Sequence, residues 1–295
     1  MVEPWHILGA GAVGQLLACK LQRAGIPAQL LCRDLAAAQV LSQGIEYHEG
    51  SGSSRIPVSA TSADQLDAIR ALFITTKANQ AITAFEQVQG LLRPDTPVVL
   101  LHNGMGVYEQ LVQRYPSQHL FCGTTTEAAY RRGPCVLVHT GKGETSLGQF
   151  NGSDAPGWFT AFANSEEAFC WEADIAHSLW RKLVINCAIN PLTAIHRCRN
   201  GELLDNPEYR AQATRVCAEL AAVCRARGEE SLADQVQDIA FAVMRSTAQN
   251  QSSMLQDVLH KRPTEIDFIS GYLCREAHRL QVPCPLNEQL WQQLS

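Results

Sequence analysis

Six residues near the start of the chain, Gly9-Ala10-Gly11-Ala12-Val13-Gly14, constrain its fold more than any other segment. They follow a short apolar run, residues 5–8, and precede an apolar segment of helical character, residues 13–22. In a strand–loop–helix unit, the first glycine permits a tight turn, the second lets a phosphate approach the backbone, and the third lets the helix pack closely on the strand. The start of the helix adds N–H groups and a partial positive charge. The segment therefore predicts a dinucleotide-binding loop, and the alternative is a glycine turn with a structural role only.

Further apolar runs extend this pattern along the first half of the chain. Runs of five residues at 28–32, 71–75 and 97–101 predict three more strands, separated by segments of helical character. Short continuous apolar runs are typical of a parallel sheet that is covered on both faces. The alternation predicts right-handed βαβ units, and hence an α/β fold with an N-terminal Rossmann-type doubly wound sheet.

The pattern changes from about residue 120. Two apolar segments, 136–139 and 145–148, flank Gly141-Lys142-Gly143 and predict a β-hairpin. From residue 173 onward the apolar spacing is helical. We therefore predict a dinucleotide-binding domain over residues 1–172 and an all-helical domain over residues 173–295. Within the second domain we expect helices at 173–190, 208–227, 232–245 and 263–280.

Composition and charge narrow the class of protein. Apolar residues make up 46% of the chain and charged residues 18%, which is typical of a globular enzyme and not of a disordered chain. A net charge of −5 gives no general attraction for nucleic acid or an anionic membrane, although it does not exclude a local basic patch. The chain lacks the run of about 18 apolar residues that a membrane helix needs. The apolar stretch 7–19 lacks the preceding basic region of a signal sequence, so we expect a cytoplasmic protein.

The eleven cysteines are odd in number, and no two have C-x-x-C spacing. Several lie among apolar neighbours in segments of helical character, so we expect reduced, buried thiols that act as small apolar residues. Because we see no cluster of soft ligands, we expect no metal site.

The dipeptide Arg33-Asp34 follows the second predicted strand, where the adenosine ribose of a dinucleotide would lie. An acidic residue there favours NAD, because it can bind the ribose hydroxyls. An arginine there favours NADP, because its guanidinium can hold a 2′-phosphate. Neighbouring residues on a strand point to opposite sides, so only one of the two can easily face the ribose. The residues alone leave both open, with a small preference for NADP.

A polar stripe runs along an otherwise apolar helical segment. Lys182, Asn186 and Asn190 are spaced four residues apart, so they lie on one face of a helix. Such a stripe faces either solvent or a polar cleft, and the residues alone do not decide between them. Asparagine is a poor helix former, which slightly favours a functional reason for the stripe. Pro191 is expected to kink or end the helix.

A second polar cluster comprises Asn250, Ser252 and Ser253, followed further on by Thr264-Glu265. Amide and hydroxyl groups can bind a carboxylate or a hydroxyl group. Thr264 and Glu265 equally fit the ordinary chemistry of a helix start, so both interpretations stay open.

Together these segments resemble one family along nearly the whole chain, that of ketopantoate reductase (2-dehydropantoate 2-reductase). The resemblance implies a Rossmann domain, a helical domain and an active site in the cleft between them. It implies NADPH as cofactor, and Arg33 matches the family's basic residue after the second strand. The matching segments are the glycine loop, Thr76-Lys77-Ala78, His102-Asn103-Gly104-Met105-Gly106, Gly123-Thr124-Thr125-Thr126, residues 182–194, Asn200-Gly201-Glu202-Leu203 and residues 252–267.

The resemblance also implies roles for individual residues. Lys182 is the expected general acid, which protonates the developing alkoxide while hydride reaches the keto carbon of 2-dehydropantoate, and Glu265 contacts the cofactor and positions the reacting groups. The expected cofactor contacts are Gly9, Ala10, Gly11, Ala12, Val13, Gly14, Arg33, Lys77, Asn103, Ala128 and Glu265, with Ala128 the loosest match because Ala129 is adjacent. The expected substrate contacts are Asn103, Lys182, Asn186, Asn190, Asn200, Asn250, Ser252 and Ser253, with Ser253 the best candidate for binding the substrate carboxylate.

The expected function is therefore NADPH-dependent reduction of 2-dehydropantoate to pantoate, the step that feeds pantothenate synthesis. One alternative is a related reductase of another 2-keto or hydroxy acid, because the catalytic lysine can be kept while the pocket changes. A non-catalytic dinucleotide sensor is disfavoured, because it would need neither Lys182 nor the polar stripe. The expected partner is a small-molecule substrate, with no nucleic acid and no membrane, and the protein is expected to be a monomer or a homodimer.

Overall fold

The computed structural model describes residues 3–295. Its contacts divide the chain into two compact units. The first unit consists of the residues up to His102 together with Val107–Ser178. The second unit consists of Asn103–Gly106 together with Leu179–Ser295. The division therefore falls inside a helix, and four residues from the middle of the chain belong to the C-terminal unit.

The first unit contains strands and helices in alternation. Among the described residues its strands are β1 (Trp5–Leu8), β2 (Ala28–Cys32), β3 (Ile45–Glu49), β4 (Gly52–Ile56), β5 (Ser59–Ser62), β6 (Leu72–Ile74), β7 (Val98–Leu100), β8 (Leu120–Thr125), β9 (Ala128–Gly133), β10 (Val136–Gly141), β11 (Thr145–Gly148) and β12 (Phe169–Trp171). Its helices are α1 (Ala12–Arg23), α2 (Leu35–Leu41), α3 (Ala78–Val88), α4 (Val107–Arg114) and α5 (Thr160–Ala163).

Eight strands form the main sheet, in the order β12-β11-β8-β7-β6-β1-β2-β5. The six strands from β8 to β5 are parallel, whereas β11 is antiparallel to β8. The strand order reverses at β1, because the chain continues to β2 on one side and later to β6 on the other. This is a doubly wound sheet, as predicted, and ligands of such sheets bind beyond the carboxyl ends of the strands at the reversal point.

The strands form where they do because their side chains are buried on both faces. Leu30, Ile7, Phe73 and Val99 lie side by side on β2, β1, β6 and β7, and all four are fully buried in the core. The strands β1 and β2 have the predicted bounds, whereas β6 and β7 are each one residue shorter at both ends than the predicted runs.

The hairpin predicted over 136–148 is wrong. The first of its two segments, β10, lies in a separate four-stranded sheet of order β4-β3-β10-β9, whereas β11 pairs with β8 in the main sheet. The glycines between them serve close packing, since a Cβ on Gly143 would lie 2.3 Å from the hydroxyl oxygen of Thr126. A glycine kept for close approach and a glycine kept for a turn look alike in a sequence.

The second unit is helical. Its helices are α6 (Ile175–His196, which begins in the first unit), α7 (Glu202–Asp205), α8 (Pro207–Ala226), α9 (Glu230–Ser246), α10 (Ser253–Leu259), α11 (Ser270–Arg279) and α12 (Pro285–Leu294). The start of α8 shows why these residues form a helix: the side chain of Asn206 accepts a hydrogen bond from the backbone N–H of Glu208 at 2.9 Å, and Pro207 occupies the first turn.

Two predicted helix bounds are wrong. The helix expected to end at Asn190 continues through Pro191 to His196, because residues 187–194 are all buried and their packing holds the helix together. The helix expected over 263–280 is replaced by a 3₁₀ turn at Ile266–Phe268 and by α11, which starts only at Ser270. The carbonyl of Phe268 accepts the backbone N–H of Met105 at 2.8 Å, so a distant segment takes a bond that a continuous helix would use.

Within residues 3–295, every helix is too short or too polar to span a bilayer.

Candidate active site

Two glycines of the loop are required by the fold. Gly9 has a positive φ of 114°, and a Cβ on Gly14 would lie only 1.9 Å from the carbonyl oxygen of Gly9. The hydroxyl of Thr75, just after β6, donates to that same carbonyl at 2.8 Å. The loop is thereby packed against the end of β6, beside the reversal point of the sheet.

Gly11 differs, because no contact within residues 3–295 requires a glycine there. Its φ of −75° suits any residue, and a Cβ placed on it would have none of the described atoms within 4 Å. It forms the N-cap of α1 without a side-chain hydrogen bond, and the first turn of this fully described helix contains no acidic residue. The open space and the unshielded helix start fit a phosphate-bearing dinucleotide.

The two residues after β2, Arg33 and Asp34, have different surroundings. The carboxylate of Asp34 caps α2 by accepting the backbone N–H of Ala37 at 2.8 Å, and this bond lowers the pKa of Asp34. The Arg33 side chain is 89% exposed, and its Nε donates to Asp34 at 3.0 Å. Asp34 therefore has a local structural function, while most of the Arg33 side chain is accessible to solvent.

The remaining residues predicted in the first unit lie at the ends of strands near the loop. Lys77 is half-buried at the N-cap position of α3, two residues after Thr75. Ala128 is half-buried and opens β9. The end of β6 contacts the glycine loop through Thr75, and β9 contacts it through Arg131, whose Nη1 donates to the carbonyl of Ala10 at 2.6 Å.

In the second unit, Lys182 and Glu265 interact although they are far apart in the sequence. The half-buried Lys182 lies on α6 beside the buried Leu183 and Val184. Burial lowers the pKa of Lys182 to about 8, and the nearby charge of Glu265, itself only 7% exposed, raises it and so limits the decrease. An ammonium group with this pKa is protonated at neutral pH and releases its proton more readily than an ordinary lysine.

The asparagine stripe on α6 is not a solvent-exposed face. Lys182 and Asn186 are half-buried, and Asn190 is 7% exposed. The carbonyl of Asn190 accepts the hydroxyl of Thr193 at 3.0 Å, and that hydroxyl lies 2.7 Å from the hydroxyl of Ser252. The end of the stripe therefore adjoins the second polar cluster.

Asn200 ties this region to the segment before α10. Its backbone N–H donates to the carbonyl of Asn250 at 3.0 Å, and its side-chain amide donates to Thr247 at 2.8 Å. Its side-chain oxygen Oδ1 is buried with no hydrogen-bond partner among residues 3–295. That oxygen can accept a hydrogen bond from a ligand hydroxyl.

The two predicted serines differ in their surroundings. Ser252 is buried and caps α10, since its hydroxyl accepts the backbone N–H of Leu255 at 3.0 Å. Ser253 is the exposed first residue of that helix. The half-buried Asn103 belongs to the same unit, and Gly104 after it packs closely on the carbonyl of Phe268.

Sequence reasoning missed a cavity of about 460 Å³ in the first unit. Six of its charged groups form three pairs: Lys20 with Glu127, Arg23 with Glu167 at 3.0 Å, and Lys142 with Glu49 at 2.9 Å. The hydroxyl of Tyr47 lies 2.7 Å from Nδ1 of His139, and Nε2 of His139 lies 2.5 Å from Glu127. The one sequence feature that indicates this cluster is Lys20, a charged residue with apolar neighbours in helix α1.

Sequence reasoning also missed three groups that could together ligate a metal, on Glu144, Cys170 and Glu172, with ligand atoms within 4.8 Å of one another. Burial raises the pKa of the Cys170 thiol, which favours the protonated form over the thiolate that metals bind.

The doubly wound sheet and the open glycine loop are features of proteins that bind a nicotinamide dinucleotide. A family model described as Ketopantoate reductase PanE/ApbA matches residues 5–152, and the model of that family's C-terminal part matches residues 174–295. The chain belongs to the ketopantoate reductase family. A nicotinamide dinucleotide is the cofactor that this family implies.

Curated relatives and solved structures agree with this assignment. The chain is 37% identical over 290 residues to the 2-dehydropantoate 2-reductase of Vibrio cholerae, covering 98% of this chain and 95% of the relative. A solved structure described as probable 2-dehydropantoate 2-reductase PanE from Bacillus subtilis is 29% identical, with a TM-score of 0.81 and 99% of both chains covered. A structure of D-mandelate dehydrogenase with NADH and anilino(oxo)acetate has a TM-score of 0.88 over 99% of this chain and 97% of that one. At 22% identity it shares the fold alone.

Proposed function

We propose that the protein reduces 2-dehydropantoate to (R)-pantoate with NADPH, a step of pantothenate biosynthesis. The observation that carries the proposal is the pairing of a desolvated Lys182 with the buried Glu265 in a chain of this family. The names of its curated relatives, 31–37% identical over most of the chain, support the substrate.

The reaction needs a hydride donor and a proton donor. Bound NADPH supplies the hydride to the keto carbon. Lys182 donates the proton from Nζ to the keto oxygen as negative charge develops there, and its positive charge stabilises that oxygen before transfer. Glu265 keeps Lys182 protonated, because its negative charge favours the ammonium form. It also contacts the cofactor in this proposal.

Substrate binding is assigned to the polar groups of the helical domain, residues 173–295. Asn200 offers an unpaired buried acceptor for a substrate hydroxyl, and the exposed Ser253 at the start of α10 offers a donor for the carboxylate. Ser252 supports this site indirectly: its hydroxyl caps α10 and makes a hydrogen bond with the hydroxyl of Thr193. The further substrate contacts are Asn103, Asn186, Asn190 and Asn250.

Cofactor binding is assigned to the first domain, residues 1–172, together with Asn103 and Glu265. The loop from Gly9 to Gly14 holds the pyrophosphate, and Lys77 and Ala128 line the cofactor further along. Arg33 binds the 2′-phosphate, because Asp34 is occupied as the cap of α2 while Arg33 is exposed. Arg33→Ala should therefore weaken NADPH binding about 10–100-fold and change NADH binding little.

The test is oxidation of NADPH by the purified protein with 2-dehydropantoate. Lys182→Ala should lower the rate roughly 10²–10⁴-fold, because general acid catalysis contributes this much. Lys142→Ala is the matched control, since Lys142 is 80% exposed and pairs with Glu49. A rate for Lys182→Ala equal to that of the control would refute the role of Lys182. Equal turnover of simple 2-keto acids would refute the substrate, and tight dinucleotide binding without turnover of any keto acid would favour a sensor.

A further inference from the structure

Arg131 reaches the glycine loop from the second sheet. It lies on β9 with an exposed side chain, and its Nη1 donates to the carbonyl oxygen of Ala10 at 2.6 Å. Ala10 stands between Gly9 and Gly11, so the guanidinium lies at the loop itself. One N–H of the guanidinium makes this bond, and a guanidinium has five.

Buried contacts hold the turn after this arginine's strand against α1. The side chain of Gln15, which is fully buried on α1, donates to the carbonyl of Pro134 at 2.7 Å and to that of Ala10 at 3.2 Å. Pro134 lies in the turn that follows β9, so Gln15 fastens that turn to the helix that begins at the loop. The end of β9, which carries Arg131, is therefore held close to the loop.

The charge of Arg131 is not neutralised locally. Within residues 3–295, no carboxylate forms an ion pair with it. Together with Arg55 it lowers the pKa of the Cys135 thiol, against burial, which raises that pKa more strongly. Cys135 in turn donates to the carbonyl of Val40 on α2 at 3.2 Å. The neighbouring Arg132 is engaged elsewhere, with Nη2 at 3.1 Å from His48, which pairs with Glu46.

We propose that Arg131 is a further cofactor-binding residue that contacts the pyrophosphate of the dinucleotide. The inference rests on the proposed function only in assuming that a nicotinamide dinucleotide binds at the loop. The backbone of the loop and the start of α1 would hold the pyrophosphate, and Arg131 beside Ala10 would add a delocalised cation. A guanidinium suits this role because its planar set of donors can bind two phosphate oxygens at once.

The experiment measures the affinities of NADPH and NADH by fluorescence titration at several salt concentrations. Both dinucleotides carry the pyrophosphate, so Arg131→Ala should weaken both by a similar factor of about 10–100. It should also reduce the dependence of affinity on salt, because a phosphate contact has been lost. Arg131→Gln keeps a donor for the Ala10 carbonyl but not the charge, and should behave like Arg131→Ala. Arg132→Ala is the matched control and should bind like the wild type.

Three results would overturn the inference. The first is unchanged affinity in Arg131→Ala. The second is a loss confined to NADPH, which would assign Arg131 to the 2′-phosphate instead. The third is a loss that Arg131→Gln restores with unchanged salt dependence, which would make Arg131 a structural latch on Ala10. A wild-type protein that binds both dinucleotides but does not reduce 2-dehydropantoate would defeat the proposed substrate and leave Arg131 to be decided by these affinities. A wild type that binds neither would overturn both.

Discussion

The chemistry of this protein depends on the surroundings of a few residues. Lys182 would be an ordinary surface lysine if it were solvated, but burial lowers its pKa to about 8. Glu265 limits that decrease through its charge, so the pKa of Lys182 is set by two opposing effects. Neither effect is visible in the sequence, because both depend on which groups surround the ammonium group.

The pKa of Lys182 leads to a prediction about pH. A general acid acts in its protonated form, so kcat/KM for keto-acid reduction should fall as the pH rises through about 8. Glu265→Gln removes the charge that raises this pKa, so the pKa decreases and the fall should begin at lower pH. The measurement is kcat/KM against pH for both proteins, with Glu230→Gln, an exposed glutamate on α9, as the control. An inflection that stays in place or moves upward in Glu265→Gln would contradict the pairing.

At the scale of the elements, the glycine loop combines two kinds of glycine. Gly9 and Gly14 are needed for the contact between β1, the end of β6 and α1. Gly11 has open space around it among residues 3–295, so we propose that its lack of a side chain serves the cofactor. A sequence motif cannot show which glycine is needed for close packing and which leaves open space, because both positions are glycine.

Substitution of the two kinds of glycine should separate stability from binding. Gly14→Ala forces a Cβ to 1.9 Å from the Gly9 carbonyl and should lower the free energy of unfolding by about 1–3 kcal/mol or more. Gly11→Ala meets no atom within 4 Å and should cost less than about 1 kcal/mol, yet weaken NADPH binding. Urea unfolding and NADPH titration of both variants test this. Wild-type affinity in Gly11→Ala would show that the space beside Gly11 is not used by the cofactor.

A buried ion pair joins α1 to the segment before β9. The side chains of Lys20 and Glu127 are 4% and 5% exposed, and each neutralises the other. Lys20→Met should lower the free energy of unfolding by about 3–5 kcal/mol, because it leaves the carboxylate of Glu127 buried without its main partner. The double variant Lys20→Met/Glu127→Leu should lose less, since both charges are gone. Arg23→Met is the control, because Arg23 is 46% exposed and its pair with Glu167 contributes about 1 kcal/mol or less. A double variant less stable than Lys20→Met would contradict this account.

At the scale of the whole molecule, the two units are not consecutive pieces of the chain. Residues Asn103–Gly106 follow β7 in the chain but belong to the second unit. There the backbone N–H of Met105 donates to the carbonyl of Phe268. The long helix α6 begins in one unit and ends in the other. The composition nevertheless anticipates one property of the molecule, namely that its cysteines serve as small apolar residues: all eleven are free and nine are buried.

The state of the cysteines can be counted in solution. In the native protein, a thiol reagent should react readily with the two half-buried cysteines, Cys135 and Cys170, and slowly with the nine buried ones. After unfolding without reductant, all eleven thiols should react. Addition of a reductant should leave the thermal unfolding temperature unchanged. Fewer than eleven thiols after unfolding would indicate a disulfide and contradict the structure.

The doubly wound sheet and the helical character of the second half could be predicted from apolar spacing alone. The strands β1 and β2 are buried on both faces, so their apolar runs alone mark them, and the motif from Gly9 to Gly14 marks the loop between β1 and α1. Most roles of the site residues came from the resemblance of motifs, which carries chemistry but no distances. The proposals for Lys182, Arg33 and the asparagines begin there.

Features that depend on contacts between distant segments could not be predicted and are visible only in the folded molecule. The strand β10 belongs to the second sheet and β11 to the main sheet. The helix α6 continues past Pro191 because its residues there are buried. The backbone N–H of Met105 donates to the carbonyl of Phe268, where a continuous helix was predicted. Arg131 reaches Ala10 across the fold in the same way. The spacing of apolar residues within a segment indicates which of its side chains are buried and whether it is a helix or a strand. It does not indicate which distant segment will contact it, and these features depend on such contacts.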